Sequence, residues 1–239
     1  MKNEAVEIPL LLTIMKSVVL ILLIIVIAAA LSTLIRYFLL NRLSRQLYDA
    51  AYVKKDKELF EILINSLQAQ MVMSDVSRGI MSLNFYISMD DENKVIETAK
   101  KLIKGKMNMN EAQTVYPAAI GYLCEKENEE ASTILNDMKS KYTNTEDLNM
   151  MLMMYDCELT YDVYVKKDTN RIKDIEEILK SDIDSNSKAV YQYRLAKLYY
   201  YDKNKDKAKE LLNEAKDNTN DKNAKSKIDR ILNGKWDLL

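Results

Sequence analysis

Histidine is absent from this 239-residue chain. That removes imidazole acid–base catalysis, histidine-based triads and histidine-containing zinc sites. Two cysteines, Cys124 and Cys157, are too few for a disulfide framework or an all-cysteine zinc site, and their setting in helical patterns marks them as buried thiols. With only 4 Gly and 2 Pro, the chain has little of the turn chemistry that short-stranded β folds require. Neither sign of charge dominates, since 35 basic residues face 36 acidic ones, and the net charge of -1 gives no general attraction to nucleic acid.

What is present favours helices. Leu, Met, Lys and Glu are abundant, and the chain carries 13 Met, 15 Tyr and 30% charged residues. The expected fold class is all-α, with a transmembrane anchor over 17–40, helical repeats over 42–217 and a capping helix with a tail over 218–239.

The anchor rests on "SVVLILLIIVIAAALSTLI", Ser17 to Ile35, which has no charge. At about 1.5 Å per residue it nearly spans a hydrocarbon core of about 30 Å. Arg36 is placed to snorkel and Tyr37 to sit near the headgroups. The preceding segment 1–16 contains "IPLLLTIM", too short to cross alone, which is expected to lie at the interface or to lengthen a tilted span. Arg36, Arg42, Arg45, Lys54, Lys55 and Lys57 follow the span, and this excess of positive charge orients the C-terminal part to the cytoplasm. The competing reading is a secretory signal cut near "AAALS", Ala28 to Ser32, which would put the repeats outside the membrane. Against it stand the nearly neutral residues ahead of the span and the hydrophobicity that resumes after that point.

Beyond the anchor, helical periodicity is broken by short polar turns such as "KKDK" and "DDEN". Five helical hairpins fit the pattern, with Leu59, Val95, Ala131, Ile172 and Ala208 opening their second helices at intervals of about 36–40 residues. A hairpin cannot bury its apolar stripe alone, so the copies must stack. Pro117 falls within the first helix of the third copy as the pattern draws it, or else marks the true start of that helix, where proline is tolerated. "DKNAKSKIDRILNGKWDLL" reads as a final helix ending near Gly234, with Trp236 and Leu238 folding back to shield the stack.

This pattern resembles the tetratricopeptide repeat, a TPR-like solenoid. In the last copy Leu195, Ala196 and Tyr199 match the family's large, small and aromatic positions on the first helix, and Ala208, Leu212 and Ala215 match those on the second. The third copy carries Ala118, Ala119, Tyr122, Ala131, Leu135 and Met138 at the same places. Leu83, Tyr86, Val95, Ala99 and Leu102 mark the second copy. Leu159, Thr160, Val163 and Ile172 mark the fourth, and Leu47, Ala50 and Leu59 the first. The chain departs from the family at Gln192, where an aromatic residue usually opens the helix, and in lacking the proline that closes each unit.

The resemblance implies a concave face lined by the first helices. Tyr193, Lys197, Tyr200 and Tyr201 would face it from the last copy, and Met154, Cys157, Tyr161 and Tyr164 from the fourth. Tyr116, Ile120, Leu123 and Cys124 would come from the third copy, and Ile80, Asn84 and Ile87 from the second. Tyrosine and methionine offer large adaptable contact areas, so the expected ligand is a protein or peptide, bound by Tyr116, Met154, Tyr161, Tyr164, Tyr193, Lys197, Tyr200 and Tyr201.

No catalytic, cofactor or metal motif accompanies these residues. Asp90 with Asp91 and Glu129 with Glu130 are adjacent carboxylates in polar turns, without the ligand spacing of a calcium loop. "LIKGKMN" lacks the full glycine-rich phosphate loop. "YYYDKNKDKAKE" interleaves Asp202, Asp206 and Glu210 with its lysines and reads as a solvated turn, so no nucleic-acid partner is expected. The functional expectation is a noncatalytic membrane-anchored adaptor or scaffold with cytoplasmic repeats. The alternative is an extracytoplasmic tethered or secreted TPR-like assembly or substrate-handling factor.

Overall fold

The computed structural model describes residues 4–239, with side chains from Val18 onward. The segment 1–16, with its expected interfacial placement, therefore lies outside the described side chains. The protein is 83% helical, with no strand among the described residues. It divides into two compact units, Met1–Phe85 and Tyr86–Leu239.

The first unit begins with α1, Glu4–Tyr48. Its apolar stretch is exposed from Val18 to Phe38, whereas Leu43 and Leu47 are buried. The apolar stretch, long enough to cross a membrane, and the buried segment that follows it are thus one uninterrupted helix, because "IRYFLLNRLSRQLY" contains no glycine or proline to stop it. A π-helical turn, Asp49–Lys54, ends it, and α2 (Lys57–Ile64), α3 (Leu67–Val72) and α4 (Asp75–Ser88) follow. Phe60 and Phe85 stack with centroids 3.9 Å apart, and Leu43, Leu47, Ala50, Ile64, Ala69 and Val72 complete the buried interior.

The second unit contains α5 (Glu92–Lys104), α6 (Met109–Glu125), α7 (Glu130–Tyr142), α8 (Leu148–Tyr161) and α9 (Ile172–Lys180). It continues with α10 (Ser185–Tyr201), α11 (Lys205–Asn218) and α12 (Lys222–Leu232). α8 runs into a second π-helical turn, Asp162–Lys166. Most packing positions taken from the resemblance are buried, among them Ala119, Ala131, Leu159, Val163, Ala196, Ala208 and Leu212. Leu59 and Ile172 are only half-buried, and in those copies Phe60 and Ile175 fill the interior instead.

One local device recurs five times. Lys55, Asp90, Glu127, Lys167 and Lys203 each take a left-handed backbone conformation at the bend of a hairpin. The next residue is always Asp or Asn, and its side chain accepts from the backbone at the start of the following helix: Asp56 from Leu59, Asp91 from Lys94, Asn128 from Glu130, Asp168 from Asn170 and Asn204 from Lys207. The backbone N–H of that residue reaches back to a carbonyl of the first helix. In three bends the acceptor lies five residues back, as Asp91 to Tyr86, Asn128 to Leu123 and Asn204 to Tyr199, which is the Schellman pattern. In the other two, Asp56 to Ala50 and Asp168 to Asp162, it lies six back. The π-helical turn supplies the extra residue in those two copies, which share the sequence YVKKD at Tyr52–Asp56 and Tyr164–Asp168.

Successive bends in the second unit are tied together. Tyr122 and Lys126 both bond Asp90, at 2.9 and 2.8 Å, and Lys167 pairs with Glu127 at 3.1 Å. Pro117 lies inside α6 and does not open it. The helix is instead started by Asn108, whose side chain accepts from Glu111 while the Glu111 carboxylate takes the Asn108 N–H.

Candidate functional site

The residues expected to form a ligand-binding face fall into four groups. Tyr116 belongs to the interior, because its ring is fully buried and its hydroxyl donates to Asp137 of α7 at 2.6 Å. Ile120, Leu123 and Cys124 are equally buried. A tyrosine pattern on a first helix does not distinguish the face that packs on the second helix from the face that looks outward, and Tyr116 takes the former.

Tyr193 and Tyr200 are occupied by the protein's own C-terminal segment. Trp236 stacks on Tyr200 with centroids 5.2 Å apart, and the Tyr193 hydroxyl donates to the Leu238 carbonyl at 3.4 Å. Lys205 sits over the Trp236 ring, and Lys227 of α12 over the Tyr193 ring. The tail therefore folds back as its apolar residues imply.

Tyr164, Lys197 and Tyr201 are brought together. The Lys197 ammonium lies 4.8 Å from the centre of the Tyr164 ring and 5.6 Å from that of Tyr201, and Lys167 covers Tyr201 at 5.4 Å. Lys197 is only 6% exposed, yet among the described residues it has no carboxylate within ion-pair distance. Burial, together with the positive charges of Lys227 and Lys167, lowers its pKa to about 8, against the opposing pull of Glu127 and Glu125. Burial likewise raises Tyr201 to about 12 and holds Tyr164 well above the ordinary tyrosine range. The cluster is a buried cation held among aromatic faces.

Met154 and Tyr161 are half-buried on α8, with Lys166 over the Tyr161 ring. A different face of the same helix carries what sequence reasoning missed. Leu148, Met151, Leu152 and Tyr155 stand 66, 51, 59 and 41% exposed, at successive spacings of three, one and three residues that put them on a single stripe. The signal was present in "LNMMLMMYDCEL", but α8 is apolar nearly all round, so periodicity alone does not say which stripe is left outside.

Polar links fix α8 in its setting. Lys139 of α7 pairs with Glu158 at 2.6 Å, and Arg194 and Tyr191 of α10 both bond Asp156. The charge of Asp162, at the end of α8, is met by Arg171 at 2.6 Å and Lys166 at 2.8 Å. The departure at Gln192 is also explained, since its buried amide donates to Glu214 and accepts from Asn218, joining α10 to α11 by hydrogen bonds where an aromatic ring would pack.

Both cysteines are free and buried, and burial pushes each thiol up to about 12. Among the described residues no group of His, Cys, Asp and Glu side chains is arranged to hold a metal ion. In comparisons with family models, with curated proteins and with solved structures, nothing matches this chain.

Proposed function

We propose that this protein is a noncatalytic adaptor, held at a membrane by α1, whose TPR-like helical hairpins bind a protein or peptide on the cytoplasmic side. The observation that carries the proposal is the apolar stripe of Leu148, Met151, Leu152 and Tyr155 on α8. Contiguous exposed apolar surface of this kind marks an interaction site, and its helical spacing suits the apolar face of a partner helix. The tetratricopeptide reading is supported by the buried small residues at the expected packing positions and by the five equivalent bends. The cytoplasmic side is supported by the basic residues that succeed the span.

The test places a photo-crosslinking residue at Leu152 in the full chain in native membranes and adds a C-terminal tag for protease protection. A discrete adduct that disappears with Met151→Asp, with the tag shielded until the cells are permeabilised, is the expected result. A Leu152 probe that crosslinks to nothing removes the docking face. Digestion of the tag in intact cells moves the repeats outside the membrane and replaces the cytoplasmic adaptor by a tethered envelope factor.

A further inference from the structure

The first unit carries a second apolar surface, separate from the hairpin face. From Ile62 to Ser74 the chain reads "ILINSLQAQMVMS", thirteen residues without a charge in a protein that is 30% charged. Its centre is α3, capped by the Ser66 side chain, which accepts from Ala69 at 3.2 Å. Ala69 and Val72 turn inward, while Leu67 and Met71, one helical turn apart, are 77 and 75% exposed. These are among the most exposed large apolar side chains of the described residues. Among the described residues nothing covers them.

The position of α3 along α1 identifies what covers it. The Gln68 side chain donates to the Leu39 carbonyl at 3.2 Å, and the Arg36 guanidinium donates to the Val72 carbonyl at 3.4 Å. Arg36 thus satisfies the C-terminal end of α3. If the hydrocarbon core ends near Ile35, Leu39 lies about 6 Å beyond it along the helix, within a headgroup layer about 5–8 Å deep on each side. Exposed Tyr37 and Phe38 occupy the same level of α1. The charge suits a lipid surface as well, because no Asp or Glu occurs between Glu7 and Asp49, whereas Arg36, Arg42 and Arg45 do.

We propose that α3 is a membrane-interface foot: strapped to α1 by Arg36 and Gln68, it inserts Leu67 and Met71 between the headgroups of the leaflet from which α1 emerges. The inference rests on α1 being the anchor. A foot of this kind gives the protein a second lipid contact beside the span and restrains rotation of the first hairpin about the axis of α1.

The experiment reconstitutes the full chain into vesicles of zwitterionic lipid with about a quarter anionic lipid. An environment-sensitive fluorophore is attached through Met71→Cys, Leu67→Cys or, as the anchor control, Tyr37→Cys. The two native thiols are buried and stay unlabelled. Expected is a blue-shifted emission at all three positions, quenched by lipids bearing a nitroxide high on the acyl chain and resistant to iodide. If the Tyr37 label is quenched by lipid while the Met71 and Leu67 labels are open to iodide, the foot is overturned and the anchor stands. If the Tyr37 label also fails to meet lipid, the anchor reading fails and the foot with it. Labels at 67 and 71 shielded from both quenchers would mean that protein, such as a second copy of this chain, covers the patch, which equally overturns the proposal.

Discussion

Arg194 of α10 grips Asp156 of α8 with both terminal nitrogens, at 2.5 and 3.3 Å, across 38 residues of sequence. The Tyr191 hydroxyl donates to the same carboxylate at 3.0 Å. Burial works against the guanidinium charge, but the carboxylate outweighs it and the Arg194 pKa is raised. Asp156→Ala leaves that buried cation without its counter-ion. A fully buried pair broken in this way costs about 3–5 kcal/mol, and because Asp156 is partly solvated the expected loss is about 2–3 kcal/mol. Urea unfolding of the full chain in detergent measures it, and a change under about half a kcal/mol would show that the fork contributes nothing net.

Lys197 makes the opposite kind of contribution. Its pKa of about 8 in the folded protein lies below the ordinary value of 10.5, so between those two values the unfolded chain binds more protons than the folded one. Stability contributed by this group therefore rises as pH climbs from about 8 to 10.5, and the penalty of the buried charge is fully present below 8. The groups that set the balance are Lys227, Lys167, Glu127 and Glu125, beside the rings of Tyr164 and Tyr201. Lys197→Met keeps the length of the side chain and removes the charge. The difference in melting temperature between wild type and this variant, largest in favour of the variant at pH 7, should shrink through pH 8–10. A difference independent of pH would contradict the lowered pKa.

The architecture was legible because it depends on composition and period. The uncharged run from Ser17 to Ile35 and the polar bends between apolar stripes are patterns over many residues, and they survive an error of one position. Single-residue register was less legible. Leu59 and Phe60 are adjacent and both apolar, and only packing shows that Phe60 meets Phe85. Pro117 leaves two positions open in the sequence, the helix interior or its first turn, because proline is penalised in an interior; the reciprocal cap of Asn108 and Glu111 decides for the interior and the helix runs through. The candidate site was harder still. Tyr116, Tyr164 and Tyr201 are the same residue type on first helices, and their fates as core, cage wall and partly open surface depend on which neighbouring helix lies opposite. The exposed stripe of α8 is invisible to periodicity for the same reason.

Cys124 and Cys157 should behave as inert hydrophobic residues. With pKa values pushed up to about 12 by burial, roughly one thiol in 10⁵ is ionised at pH 7. Because only the thiolate attacks, an aromatic disulfide reagent should label neither residue in the native protein and both in strong denaturant. Rapid labelling of one thiol without denaturant would show that α6 or α8 opens locally, and its rate would report the free energy of that opening.

The five left-handed bends yield the most direct test of the repeat. Lys203 takes φ 65°, a conformation that costs a side chain bearing a Cβ about 1 kcal/mol and costs glycine nothing. The neighbouring Asn204 keeps the bend whatever stands at 203, since its N–H is held by Tyr199 and its side chain caps α11. Lys203→Gly relieves the strain while giving the unfolded chain more freedom, for a net stabilisation of about 0.5 kcal/mol. Lys167→Gly gains the same relief but loses the ion pair with Glu127 and the contact over Tyr201, so it should be neutral or destabilising. Denaturant midpoints at unchanged slope separate the two. Equal stabilisation by both would show that the ties between successive bends carry no energy, and that each hairpin is held by its buried small residues alone.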